Sequence, residues 1–543
     1  MTTGERPVGT DDREVADDEP PESPGPASPV AAAQPEAAVP PPGLRLVWRI
    51  GVLAFGLQAV GLIVWSYHLW TRFDLTSDFA TFYQTWHQIG TGHLDPTLTT
   101  FAYNYPHYGY PFWQSHFELL MWPLALLWAI VPSSFDLLVV QDLVLAGSGL
   151  VALGWALDLV RRDWPLSRRT GTWVGAGVLV VLLVNPWVYW TASYDFHFQP
   201  FATLFVLLAG RDIWAGRRRA AVWVVLALLC GDVAATYVLA LGISALVASR
   251  ATRRWGIGLI AASVVWLALI GLVGSGKGSS LPTSYGYLAH GTVRNGVLGL
   301  FAIGTGILLH PAAPLRVIHE RLGDIAKYVA SAGFVGIFSA IGLPMTVIVL
   351  GANGLNASAV FVGSIASFQS LVVVVFLAVG AAEVLCWIAG PPRVGLFLAG
   401  AVGVVVLGLA IGWSVHWTPK ARTLSKVDAA TASRLARVLR AVPDRAEVIS
   451  SQGVFGRFGN HAWVYPFLDA FGNGQTVPIR GHPVVFVFTD AGIELATPAQ
   501  TAASESYVVH TLHARPLVEV GGGVTAYLWY PPEGVTSITF PMS

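Results

Sequence analysis

The chain has 543 residues, of which 54% are hydrophobic and only 12% charged, with a mean hydropathy of +0.58. Ordinary soluble domains carry about twice that charged fraction, so the composition points to a membrane protein. The formal net charge of +0 lacks the basic footprint of a nucleic-acid binder, and no nucleic-acid partner is expected.

Residues 1–44 are rich in Pro, Ala, Glu and Asp and have no apolar periodicity, so they read as a disordered tail rather than a signal peptide. The first membrane-length apolar run covers about 50–70, with Arg45 and Arg49 just before it. Cytoplasmic loops collect Lys and Arg, which places the N-terminal tail in the cytoplasm. The following loop, 71–115, then lies outside. Within it Phe79, Phe82, Tyr83, Trp86 and Ile89 recur at helical spacing. The pattern predicts an amphipathic helix over 79–89, lying flat at the lipid–water boundary.

Two apolar runs, 117–131 and 136–160, are split by Pro132-Ser133-Ser134 and read as one full span plus one surface-lying or re-entrant segment. Three basic clusters follow: Arg161–Arg162 with Arg168–Arg169, Arg211 with Arg217–Arg219, and Arg250 with Arg253–Arg254. All three are assigned to the cytoplasm, which makes the turn Tyr194-Asp195-Phe196-His197 external. The run 220–249 has cytoplasmic ends by the same rule, so it should be two short helices broken at Cys230-Gly231-Asp232, with Asp232 at the outer tip.

Run 256–273 leads to an external stretch, 274–326, which carries Lys277 and Arg294 and a short apolar segment at 297–309. A hairpin around Pro344 and runs near 365–388 and 394–415 bring the total to about eleven spans. From 417 to 543 the apolar runs shorten. This region reads as a small external α/β domain, with helices at 429–441 and 498–512 and strands at 446–450, 484–488 and 524–530. The two cysteines, Cys230 and Cys386, both lie in apolar runs, so no disulfide framework is expected.

The topology thus brings Asp78, Asp195, His197 and Asp232 to one side of the membrane. Each has two readings. Asp78 either caps the 79–89 helix with Ser77 or acts as a general base on an acceptor hydroxyl. Asp195 and His197 are a solvated turn and an interfacial histidine, or together hold a divalent cation or a sugar hydroxyl. A metal needs three or more ligands, drawn from Asp78, Asp195, His197 and Asp232. Asp232 stands in an apolar stretch, where an acid is costly and marks a functional candidate; the alternative is a helix-tip hydrogen bond. Arg72, Lys277 and Arg294 sit near membrane exits, where a cation holds a lipid phosphate or merely snorkels.

Ser77-Asp78-Phe79, the Tyr194–His197 turn, Gly231-Asp232, Tyr285-Gly286-Tyr287-Leu288 and His310-Pro311 resemble the membrane-protein family called domain of unknown function 2079. The hairpin ending at Asn353 and Asn356 is also similar. The resemblance covers about 45–416, read as a transmembrane domain, and extends loosely beyond it. Where the family usually shows a lysine–glutamate–aspartate-like run, this chain has Cys230-Gly231-Asp232. The general plan is similar to the GT-C superfamily of membrane glycosyltransferases, an analogy of fold. It implies an enzyme that moves a sugar from a polyprenyl-phosphate donor to an envelope glycan, lipid or protein. Asp78 would then be catalytic, with Asp195, His197, Asp232, Arg72, Lys277 and Arg294 binding substrate; a divalent cation is a candidate cofactor. A transporter or flippase for lipid-linked glycans and a membrane-anchored binding or sensor protein are the rival readings.

Overall fold

A computed structural model describes residues 42–100, 110–114, 117–162, 168–273, 284–289, 297–357, 368–388, 394–418, 426–467, 475–492 and 496–541. The chain opens with α1 (Pro42–Arg72), a 31-residue helix with an outward stripe that includes Leu53, Leu57, Val60 and Val64. A helix with so wide an exposed apolar face is suited to lipid contact. It leads into α2 (Ser77–Gly90), then a short helix over Met121–Leu124, and then α3 (Phe135–Arg162).

The bundle continues with α4 (Arg168–Val184), α5 (Gln199–Trp214), α6 (Ala220–Leu228), α7 (Asp232–Ala248) and α8 (Arg253–Val273). At its centre stands α9 (Leu371–Ile388), which contacts α3, α4 and α5. Every side chain from Leu371 to Ala382 is buried, as expected of a helix apolar all round.

Five described helices are long and apolar enough to cross a membrane, and six if one bent pair is counted as one span. The expected eleven are not reached among the described residues, for a physical reason. Several apolar runs break into helices too short to span a bilayer alone. The run 220–249 divides into nine-residue α6 and 17-residue α7. The segments on either side of His310-Pro311 meet at 89°. The 117–131 run is likewise a short helix followed by a 3₁₀ turn, and α3 is the single long helix of that region.

The C-terminal region builds a mixed five-stranded sheet from β1 (Glu447–Ser451), β2 (Val464–Phe467), β3 (Val484–Thr489), β4 (Arg515–Pro516) and β5 (Val524–Trp529), in the order β2-β1-β3-β5-β4. Strands β2, β1 and β3 are parallel, while β5 runs antiparallel to both β3 and β4. Helices α10 (Ala429–Ala441) and α11 (Pro498–His510) accompany the sheet. Asp428 caps α10 through the Thr431 N–H, and Thr497 with Gln500 forms a capping box on α11.

The amphipathic helix expected at 79–89 is present as α2, but it does not lie on lipid. Phe79, Phe82, Trp86 and Ile89 are buried in the membrane-helix core, while Thr81, Gln84 and Thr85 are buried as well. The C-terminal region covers the other side: the 3₁₀ segment Gln452–Phe458 packs on α2, and Gln84 Nε2 donates to the Ala462 carbonyl at 3.0 Å. Thr81, Gln84 and Thr85 therefore face protein rather than water.

Asp74 fastens the same junction. Its Oδ1 accepts the backbone N–H groups of Lys426 and Val427 at 3.2 and 3.1 Å, while its buried Oδ2 has no hydrogen-bond partner among the described residues. Burial pushes the carboxyl up to about 7, against the pull of those two N–H groups and of Arg72. The folded protein therefore holds a proton that the unfolded chain releases between pH of about 4 and 7. The Asp74 contribution to stability is full below pH of about 4 and lost as pH rises through about 7. Asp74→Asn keeps an acceptor for both N–H groups and cannot ionise. We expect the wild-type thermal midpoint in detergent to fall between pH 5 and pH 8 by an amount that the variant lacks, on the order of 2–4 kcal/mol at most. Parallel pH profiles for the two proteins would refute this role.

Candidate functional site at the start of α2

The first N–H groups of a helix have no partner within it. At α2 the N-cap is Thr76, whose own side chain makes no capping bond. The acceptor comes instead from Asp195, more than a hundred residues away. Its carboxylate takes the Thr76 N–H at 3.2 Å, the Phe79 N–H at 3.1 Å and a short bond from the Thr76 hydroxyl. Asp195 is buried; burial pushes its carboxyl above the usual range while these donors pull it back. Gln141 of α3 sets the turn: its Nε2 donates to the Asp195 carbonyl at 3.0 Å and its Oε1 accepts the His197 N–H at 2.7 Å.

The capping role considered for Asp78 thus belongs to Asp195. Asp78 is placed beside the turn, where Tyr194 donates its hydroxyl to Oδ2 at 3.3 Å and His197 Nε2 stands 3.8 Å from the same oxygen. The Asp78 side chain is 24% exposed and that of His197 only 8%, so of the pair the carboxylate is the reachable member. The imidazole is held in an aromatic frame. It stacks on Phe368 at 3.6 Å with 7° between planes, lies near-parallel to Tyr194, and receives Phe82 edge-on. Three well-separated segments, 78–82, 194–197 and 368, therefore converge here.

Asp232 is the first residue of α7. It is exposed at the first turn of α7, and its carboxylate accepts the adjacent Val233 N–H at 2.8 Å, which is the helix-tip arrangement. Gly231 before it has φ 108°, and an added Cβ would lie 2.9 Å from Glu118 Cγ, so the break needs a glycine. Glu118 itself is buried and went unnoticed in the sequence, where it sits at the edge of an apolar run.

The α7 region reaches the aromatic frame indirectly. Tyr237 donates to the Gln369 carbonyl, and Asn353 Nδ2 donates to Ser370 Oγ at 2.8 Å, so both tie down the segment that carries Phe368. Arg72 ends α1, half-buried, with its field falling on His68 and Asp74. Lys277 and Arg294 lie outside the described residues. Among the described residues, no three His, Cys, Asp or Glu side chains are grouped to hold a metal ion.

The apolar bundle and the acid–histidine pair at its edge define a polytopic membrane protein with a chemically equipped first loop. The family described as predicted membrane protein DUF2079 matches residues 68–475, and the chain belongs to that family. No curated protein matches the chain. Among solved structures, the chain is similar to ArnT from Cupriavidus metallidurans bound to undecaprenyl phosphate, with 13% identity and a TM-score of 0.45 over 88% of this chain and 97% of that one.

Proposed function

We propose that the protein is an integral membrane glycosyltransferase that takes a sugar from a polyprenyl-phosphate carrier on the external face. The observation that carries the reading is the partly exposed Asp78 carboxylate. It is relieved of capping by Asp195, oriented by the Tyr194 hydroxyl, and backed by His197 in its aromatic frame. A positioned carboxylate of this kind is suited to general-base work.

In the proposed step an acceptor hydroxyl attacks the anomeric carbon as its proton passes to Asp78. The new C–O bond forms as the bond to phosphate breaks, and the electron pair leaves on the lipid phosphate. No outside acid is needed for that departure, so the protein has to position the substrates, take one proton and stabilise phosphate charge. His197, 3.8 Å from Asp78 Oδ2, is the next residue able to take up the proton.

The external placement of the first loop and of the region 417–543 is part of this proposal and is supported by the distribution of arginines; the domain limits at 44 and 416 are proposed from the change in composition and the end of the apolar runs. The test is the fate of a polyprenyl-phosphate sugar, labelled in both halves, in liposomes holding the purified protein. Release of free polyprenyl phosphate with the sugar on an acceptor is the expected result. Passage of the intact lipid across the bilayer without cleavage would make the protein a flippase.

A further inference from the structure

The first loop needs a cation for phosphate charge, and the candidates read from the sequence do not supply one plainly. Arg72 is half-buried at the end of α1 beside Asp74, and Lys277 and Arg294 lie outside the described residues. Another arginine stands at the same place. Arg457, on the 3₁₀ segment Gln452–Phe458, lies over the ring of Trp70 at 3.9 Å and over that of Phe73 at 4.5 Å. It is half-buried, and among the described residues no carboxylate, carbonyl or hydroxyl accepts a hydrogen bond from it.

Its charged neighbours, taken from every packed element, are few. Tyr83 of α2 and Tyr67 of α1 are the groups that act on it electrostatically, and neither is a carboxylate. Stacking occupies the faces of a guanidinium and leaves its edge donors unspent, in the fork that matches two oxygens of one anion.

The location selects the anion. Tyr67, Trp70 and Phe135 cluster at the end of α1, where the apolar span stops. Aromatic belts of this sort mark the membrane–water boundary, the depth of lipid phosphates. The segment that carries Arg457 is also bonded to the approach to Asp78: the Gly456 N–H donates to the Leu75 carbonyl at 2.9 Å, and Gln452 Nε2 donates to Ser77 Oγ at 3.0 Å.

We infer that Arg457 binds the phosphate of a polyprenyl phosphate at the membrane boundary, so that the C-terminal region contributes the phosphate-holding cation to the site in the first loop. The choice of a polyprenyl lipid rests on the function proposed above; the anion site itself rests on Arg457 and its surroundings.

The test uses the full-length protein in detergent with four probes: polyprenyl monophosphate, the matching polyprenol, phosphatidic acid and inorganic phosphate. Thermal stabilisation reads binding, and phenylglyoxal modification of Arg457, followed by peptide mass spectrometry, reads occupancy in the wild type even if a variant folds poorly. We expect polyprenyl monophosphate to stabilise the protein and shield Arg457, the other three probes to do so far less, and Arg457→Gln to bind about tenfold or more weakly. Arg457→Lys should recover part of the binding, because the charge remains.

Equal protection by phosphatidic acid or by inorganic phosphate would overturn the assignment to a polyprenyl phosphate. Unprotected Arg457, or a folded Arg457→Gln protein with full lipid response, would overturn the site and leave the arginine as a packing clamp. None of these readings requires sugar transfer. Binding without turnover would leave the site standing and sink the enzyme proposal, and turnover without protection would do the reverse.

Discussion

Asp195→Ala should strongly destabilise the protein, by roughly 3–5 kcal/mol, because three donors lose their shared acceptor. The Thr76 N–H, the Thr76 hydroxyl and the Phe79 N–H all point at this one carboxylate. The Thr76 side chain itself makes no capping bond to α2. A buried donor left without an acceptor costs about 1–3 kcal/mol, and a lost cap about 0.5–2 kcal/mol. Because α2 lies between the membrane core and the C-terminal region, the damage should spread to both. Asp195→Asn keeps one carbonyl oxygen in place and should cost clearly less. The measurement is the thermal midpoint of the two variants in detergent at one pH. An alanine variant as stable as wild type would mean that Asp195 does not hold α2 in place, and the division of labour between Asp195 and Asp78 would collapse.

That division was beyond the sequence. Ser77-Asp78 before an apolar-periodic run is an ordinary capping signal, and only a contact across 116 residues shows that another acid does the work. Long-range pairing of this kind leaves no local pattern. The same holds for Gln141, a lone amide next to Asp142 in an apolar run, which turns out to fix the 195–197 turn. Phe368 was equally invisible, since one aromatic in a membrane protein is normally belt or core.

Local chemistry was legible. The break at 230–232 and the helix at 429–441 follow from residues beside them in the chain, and the structure has α6, α7 and α10 where these rules put them. The setting of α2 was misread for an instructive reason. Its polar and aromatic mixture fits a lipid–water boundary, but it fits equally a helix between an apolar bundle and a hydrogen-bonding domain. Gln84 reaching the Ala462 carbonyl decides between them. Among the described residues five or six spans are found rather than eleven, because hydropathy registers apolar length and not the bends and breaks that divide it.

Asp78→Asn separates proton abstraction from folding. Asparagine preserves the size of the side chain and can still accept the Tyr194 hydroxyl, and the cap of α2 rests on Asp195. Folding should therefore be unaffected, while proton abstraction is lost. The experiment compares sugar transfer from a polyprenyl-phosphate donor by reconstituted wild type and Asp78→Asn, with thermal midpoints measured on the same preparations. Matching midpoints are expected, with a transfer rate lower by about 10²–10⁴-fold, the usual cost of removing a positioned base. Matching midpoints with undiminished transfer would contradict the general-base role of Asp78.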